Sequence, residues 1–421
     1  MSQSLQEAAL NYHEYPFPGK IGTQLTKPAE TQKDLALAYS PGVAEPCRQI
    51  VADSESVYRY TQKSNLIGVI TNGTAVLGLG AIGALASKPV MEGKVFLFNK
   101  FADLSGFDLE IDELDPKKFI EIVAALEPTF GGINLEDIRA PECFEIEEAL
   151  KKRMKIPVFH DDQHGTAITL VAALENAIHL QKKSLSQVKI VCIGAGAAGI
   201  ASLRLLERRG VPTENIFLFD TQGLVTADRA GLNVYKQAYA QNCAPQKLPE
   251  AMNGADVFIG LSVANLLTPE MVKSMAPRPI IFAMANPDPE IAPALAHAVR
   301  SDLIMATGRS DFANQVNNVL CFPYIFRGAL DVRAYAINEE MKEAAIDAIK
   351  TLVHEPIPQS VLSSYGLENL AFGPQYILPK PNDPRLKHRV SGAVARAAVR
   401  SGVAQKALPL IYELEPAVIS T

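Results

Sequence analysis

Apolar residues fall into three successive patterns along this chain. Over residues 1–60 they recur at helical spacing but are interrupted by prolines, in Tyr15-Pro16-Phe17-Pro18 and again in Tyr39-Ser40-Pro41-Gly42. Proline breaks helices and pre-sets turns, so this stretch predicts short helices with fixed bends. From Leu66 the pattern changes to short continuous apolar runs, Leu66–Ile70 and Val95–Phe98, which predict buried strands. Helical spacing resumes at 116–127 and 142–155, with further apolar runs at 131–134 and 156–159. Strand, helix, strand, helix is the α/β rhythm. Residues 166–181 read as one helix bridging to the next domain. From 188 to 306 the alternation is regular, with strands predicted at 189–193, 215–220, 257–260, 280–283 and 303–306. Helical spacing returns at 332–353, a proline-rich stretch runs from 372 to 384, and an alanine-rich helix is predicted near 392–402.

The predicted fold class is α/β, with a Rossmann-like doubly wound nucleotide domain joined to an α/β substrate domain that carries N-terminal helices. The predicted divisions are a substrate and metal domain at 1–164, a nucleotide domain at 165–317, and a C-terminal helical segment at 318–421 that packs back on the first. A length of 421 residues suits two or three domains. Net charge is −6, which gives no bulk case for nucleic-acid binding. No apolar stretch approaches the roughly 20 residues of a membrane helix. The five cysteines are scattered without a CxxC, and the N-terminus lacks a basic region followed by an apolar core. Reduced thiols in a cytoplasmic protein are expected.

The pattern GxGxxG occurs twice. The copy at Gly194, Gly196 and Gly199 comes after the apolar run Ile190–Ile193, opens a helical pattern, and precedes Asp220 by about twenty residues. That context predicts a dinucleotide turn: glycines admit the pyrophosphate, the helix N-terminus favours its charge, and the acid accepts the ribose hydroxyls. The copy at Gly78, Gly80 and Gly83 lacks an acid after the next predicted strand and reads as a tight packing turn, one that still borders the substrate site. Gln222 stands just after Asp220 where a basic residue would favour a 2′-phosphate, which locally points to NAD, although Arg229 is within reach of such a phosphate.

Two acidic pairs each close an apolar run: Glu136-Asp137 and Asp161-Asp162. Glu136, Asp137 and Asp162 can supply the oxygen ligands that Mg²⁺ or Mn²⁺ prefers, alongside a chelating hydroxy- or keto-acid. His160 and His164 bracket the second pair, but zinc is disfavoured because no third soft ligand lies close in sequence.

With these motifs the chain resembles the malic enzymes, in particular the bacterial type whose malic-enzyme portion is often fused to a phosphotransacetylase-like domain. The resemblance runs from about Phe17 to Val403. It rests on Tyr39-Ser40-Pro41-Gly42-Val43-Ala44, Asn72-Gly73-Thr74-Ala75-Val76-Leu77-Gly78-Leu79-Gly80, Pro89-Val90-Met91-Glu92-Gly93-Lys94, Gly132–Asp137, Phe159–Thr166 and Asn317-Asn318-Val319. It implies oxidative decarboxylation of L-malate to pyruvate and CO₂. It further implies Lys94 as general base, Tyr39 as general acid, Glu136, Asp137 and Asp162 as metal ligands, and Asp161 as their support. Asn286 and Asn318 would contact malate, with Asn286 also bordering the cofactor. The nearby dication is expected to lower the Lys94 pKa. The family favours NADP, which tips the cofactor expectation slightly that way. The N-terminal helical segment resembles a family dimer surface, so at least a homodimer is expected.

The chain departs from the larger members at Ala75, where they carry a malate-holding arginine, and another group must bind that carboxylate. It stops near the point where the fused relatives continue, so a natural short form and an excised portion are both open, and Tyr412–Pro416 reads as the start of a linker. Within enzymes, the alternative is malolactic-type conversion of malate to lactate with retained cofactor. From another class, a nucleotide-sensing module without activity would have lost Lys94, Tyr39 or a metal carboxylate, and all are present.

Overall fold

The computed structural model describes residues 4–413, so residues 414–416 of the expected linker lie outside it. Two parallel sheets organise the chain. The first has the order β2-β1-β3-β4, built from β1 (Leu66–Thr71), β2 (Ser105–Glu110), β3 (Gly132–Leu135) and β4 (Val158–His160). The second has the order β10-β9-β8-β5-β6-β7, from β5 (Ile190–Ile193), β6 (Ile216–Asp220), β7 (Gly223–Leu224), β8 (Val257–Gly260), β9 (Ile280–Ala283) and β10 (Ile304–Thr307). Only the short β7 runs antiparallel to its neighbour. The inner strands β1, β3, β5, β8 and β9 are buried along their whole length, which is why they read as continuous apolar runs rather than alternating ones. Strand order reverses at β5, which lies between β6 and β8, so the crevice beyond its C-terminal end is the switch point of a doubly wound sheet.

Three sequence expectations are corrected. The run Val95–Phe98 is not a strand but part of the helix Ala84–Ala102. Its buried residues include Ser87, Met91, Lys94, Val95, Phe98 and Ala102, a helical period that a window of four apolar residues cannot reveal. The strand in that region is β2, an edge strand of mostly half-buried residues, Ser-Gly-Phe-Asp-Leu-Glu, with little apolar signal. The bridging helix starts at Asp161, five residues earlier than predicted, because His160 caps it: the Gln163 N–H donates to His160 Nδ1 at 3.3 Å. The two acids therefore sit in its first turn, where the helix dipole favours negative charge. After β10, the helix predicted at 332–353 starts only at Glu339, capped by Asn338, and a separate helix, Phe322–Asp331, precedes it.

The core is continuous between the sheets. Phe98 is fully buried against Phe322 and Phe326, with ring centroids 4.9 and 5.4 Å away, and Phe326 also meets Phe159. The helix Phe322–Asp331 thus packs against the first sheet's layer, and the helix Asp161–Leu180 packs against Ala197–Arg208 in the second. The N-terminal helices Leu5–Glu14, Gln32–Ala38 and Ala44–Ala52 are the exception. They bury none of their own residues and leave Leu5, Leu10, Leu35, Leu37 and Val51 exposed.

Candidate active site and metal centre

Parallel pairing brings the two acidic pairs together. Leu135 at the end of β3 is the register partner of His160 at the end of β4, so the next residues of each strand emerge side by side at the C-terminal edge of the sheet. Carboxylate oxygens of Glu136, Asp137 and Asp162 lie within 4.8 Å of one another. The Asp137 N–H donates to Asp162 Oδ2 at 2.7 Å, and Asp137 itself takes a left-handed backbone (φ +54°) that turns the chain sharply there. Asn134 donates to Glu136 Oε2 at 2.8 Å and fixes that carboxylate.

Burial and mutual repulsion make this cluster costly as it stands. Burial, then Asp162 and Glu136, pushes the Asp137 carboxyl up to about 9. Burial does the same to Glu136, up to about 7, against the pull of Lys94. Asp162 rises to about 6, again chiefly through burial. Asp137 Oδ2 is buried without a hydrogen-bond partner. Three converging carboxylates and an orphaned buried oxygen fit a hard divalent cation such as Mg²⁺ or Mn²⁺. They do not suit zinc. His164 Nε2 lies 2.9 Å from both oxygens of Glu147, and His160 Nε2 is 3.8 Å from Asp162, outside the carboxylate group.

Lys94 faces the cluster from the helix Ala84–Ala102. Its Nζ is 2.5 Å from Asp161 Oδ2, 2.8 Å from Glu136 Oε1 and 4.1 Å from the centroid of the Phe322 ring. Burial works to lower its pKa, but Asp161 and Glu136 outweigh that and drive it up, opposite to the lowering expected beside a bound dication. Without such an ion Lys94 is the counter-charge of the acids. Asn318 Nδ2, half-buried, donates to the same Asp161 oxygen at 2.5 Å, so Lys94, Asn318 and Asp161 form one hydrogen-bonded unit. Asp161 is therefore more central than a neighbouring support. Gly165 makes room for it: a Cβ there would lie 1.8 Å from Asp161 Oδ1. Buried Glu147 is a further member that sequence reasoning misses. It accepts the His160 N–H at 3.0 Å and bonds His164, holding the strand end that carries the acids. Its sequence signal is its position on the apolar face of the helix Glu142–Arg153, at helical spacing from Cys143 and Leu150.

The second sheet supplies the nucleotide turn. Gly194 has φ +112° and a Cβ there would lie 2.3 Å from Leu261 O, while one at Gly199 would lie 1.9 Å from Gly194 O. Gly196, the N-cap of Ala197–Arg208, faces open space where a phosphate can approach the backbone. Asp220 ends β6, as predicted, but it is not free. Arg229 Nη2 lies 3.0 Å and Lys236 Nζ 2.8 Å from its Oδ2, and hydrogen bonds from Arg229, Lys236 and the Gln222 N–H outweigh burial and hold it down at about 2.

Two expected site residues are not gathered into this unit. Tyr39 is 77% exposed at the end of the helix Gln32–Ala38, with no bond to Lys94 or the carboxylates among the described residues. Asn286 stands before a cis proline, Nδ2 3.4 Å from Met284 O, and its carbonyl oxygen would lie 2.7 Å from a Cβ on Gly78. That contact accounts for Gly78 as close packing between the two sheets' loops, whereas Gly80 and Gly83 are set by positive φ of +76° and +84°.

Comparison with known proteins agrees with this geometry. The family profile described as "Malic enzyme, NAD binding domain" matches residues 163–363, and "Malic enzyme, N-terminal domain" matches 18–117 and 112–151. The chain belongs to the malic enzyme family. It is 58% identical over 408 residues to an NADP-dependent malic enzyme of Salmonella typhimurium, covering 96% of this chain and 54% of that protein. It is 55% identical over 415 residues to one from Halomonas elongata, covering 99% and 98%. The chain thus spans about half the length of the Salmonella relative and nearly all of the Halomonas one. Its fold matches the crystal structure of malic enzyme from Pyrococcus horikoshii with a TM-score of 0.88 and 41% identity, over 97% of this chain and 94% of that one.

The raised carboxyls set a pH signature. An acid whose folded pKa lies above its unfolded value of about 4 destabilises the fold once ionised, by an amount that is absent at low pH and grows up to the folded pKa. For Glu136 and Asp137 that window runs from about 4 to about 7 and about 9. Mg²⁺ held by these carboxylates would relieve the penalty, so its gain in Tm over EDTA should increase from pH 6 to pH 9 and shrink in Asp137→Asn. A gain of the same size at every pH, unchanged in that variant, would place the ion elsewhere.

Proposed function

We propose that this chain catalyses the oxidative decarboxylation of L-malate to pyruvate and CO₂, with NADP as the hydride acceptor and Mg²⁺ or Mn²⁺ as the metal. The observation that carries this reading is the hydrogen-bonded unit of Lys94, Asp161 and Asn318 set against three convergent carboxylates. A simple hydride transfer needs no such metal cluster. A divalent cation held by Glu136, Asp137 and Asp162 would supply Lewis-acid polarisation and neutralise the charge that builds as the carboxyl group departs.

The chain's own residues divide the remaining work. Lys94 takes the proton of the C2 hydroxyl as hydride leaves that carbon. It can do so only after losing a proton of its own, and Asp161, at 2.5 Å, is the nearest acceptor. Asn318 orients Asp161 and, with Asn286, contacts malate. Tyr39 then protonates C3 of enolpyruvate.

NADP is favoured over NAD by charge. Asp220 alone would repel a 2′-phosphate, but Arg229 and Lys236 pair with it and leave one surplus positive charge at the ribose end of the site. With L-malate and Mg²⁺, the expected result is NADPH formed one-for-one with pyruvate, faster than NADH from NAD and abolished by EDTA. Lys94→Ala should lose at least about 10³-fold in kcat while still binding NADP, in line with removal of a positioned base. Lactate without free NADPH would instead indicate the malolactic reaction, and near-normal turnover in Lys94→Ala would remove that residue from the mechanism.

The exposed N-terminal helices support a homodimer in which one copy's arm covers the other and brings Tyr39 to the partner subunit's site. Mixed dimers of Tyr39→Phe and Lys94→Ala then contain one intact site each. Refolding the two inactive variants together should restore part of the activity; a mixture as inactive as its components would put Tyr39 and Lys94 to work within one chain or not together at all.

A further inference from the structure

Opposite the carboxylate cluster, the first sheet has a second feature that the reaction does not use. A small pocket opens at the N-terminal edge of β1, β3 and β4, lined among others by Tyr58, Lys63, Gly131, Lys155, Arg333 and Lys406. Its lining holds four cationic side chains and no acid, in a chain whose net charge is −6.

Lys63 is 8% exposed, and its ammonium is held by the carbonyl oxygens of Glu127 and Phe130 and lies 5.6 Å from the Tyr58 ring centroid. Among the described residues no carboxylate comes within ion-pair distance of it. The nearest acid, Glu127, instead accepts the Lys155 N–H at 3.1 Å. Buried charges are normally paired, so this one lacks an anion. Lys155 and Lys406 are exposed at the pocket and likewise form no ion pair among the described residues. Arg333 pairs with Glu55 and lies 4.9 Å from the Tyr58 ring centroid.

Arg333 is also there against local preference. The helix Phe322–Asp331 ends in a Schellman motif, with Arg333 N–H donating to Leu330 O at 3.0 Å and Ala334 N–H to Ala329 O at 2.8 Å. The left-handed residue of that motif is normally glycine, yet here it is Arg333 at φ +49°. Its side chain bonds Glu55, donates to Gln405 Oε1 at 3.2 Å and faces Tyr58, contacts that hold the guanidinium at the pocket wall.

We propose that this pocket binds a compact dianion of the phosphate type, and that its occupancy is linked to the active site. Three elements connect the two places. Gly131 leads into β3 and so to Glu136 and Asp137; Lys155 precedes β4 and so Asp161 and Asp162; Arg333 comes just after the helix whose first residue, Phe322, lies under Lys94. The span is short, about 13 Å for a strand of four residues at about 3.3 Å each. An anion that draws Lys63, Lys155 and Arg333 together therefore acts on the far ends of the elements that hold the acids. By linkage, malate must in turn alter anion affinity. The kinetic half of the proposal rests on the malic enzyme reading; binding does not.

The test is calorimetric titration of the full chain with inorganic phosphate, then methyl phosphate, at constant ionic strength with Mg²⁺ and dinucleotide present. One saturable site is expected, weakened at least tenfold in Lys155→Gln/Lys406→Gln and in Arg333→Gly, which keeps the fold because glycine suits that cap. The better of the two probes identifies the free ion or an ester as the ligand class. The KM for malate should shift at least twofold with the anion in the parent and not in the variants. Absence of saturable binding, or binding of equal strength in all three proteins, would overturn the site. Binding that leaves KM unmoved would overturn the linkage, even if the chain proves to act on malate as proposed.

Discussion

Leu135 and His160 face each other across adjacent parallel strands, and the chemistry of this chain depends on that pairing. A slip of one residue would separate Glu136-Asp137 from Asp161-Asp162 and turn every side chain of β3 to the other face. The register is secured because both strands are fully buried. It is secured again at the turn itself, where Asp137 N–H bonds Asp162, and behind it, where Glu147 accepts the His160 N–H. Core packing and backbone hydrogen bonding thus set the spacing of the carboxylates.

That arrangement carries its own electrostatic cost, and the surrounding residues offset part of it. Among the described residues Lys94 supplies the one positive charge in contact with the cluster, Asn134 and Asn318 supply neutral donors, and the helix Asp161–Leu180 presents its N-terminus. The remainder, marked by the raised carboxyls and the orphaned Asp137 oxygen, is what a divalent cation would neutralise. Lys94 is tied most tightly to the acids when no such ion shares their charge. On the proposed mechanism, metal binding and the readiness of Lys94 to act as a base would be linked through Glu136, which touches Lys94 and belongs to the carboxylate cluster.

Much of this is legible in the sequence because the signals are local. The strands of the second sheet appear as continuous apolar runs, and the glycines at 194 and 199 are where a Cβ meets backbone oxygen. The acidic pairs are visible, but periodicity alone does not place them side by side, since strand order is not local information. Val95–Phe98 misleads because four apolar residues fit a strand and a buried helix face equally well. The centrality of Asp161 is hidden beside Asp162: adjacent acids at a helix start point different ways, one to Lys94 and one to the Asp137 N–H. The neutralisation of Asp220 by Lys236, sixteen residues away, is also out of local reach. Tyr39 shows the opposite limit, since the sequence nominates it and a single chain leaves it in solvent.

The central claim is that register-matched strand ends build a carboxylate site for a hard divalent cation. Anomalous diffraction at the manganese edge, from crystals grown with Mn²⁺, tests it most directly. The account predicts one strong peak bounded by oxygens of Glu136, Asp137 and Asp162. A peak at His160 or His164, or none near the ends of β3 and β4, would contradict it.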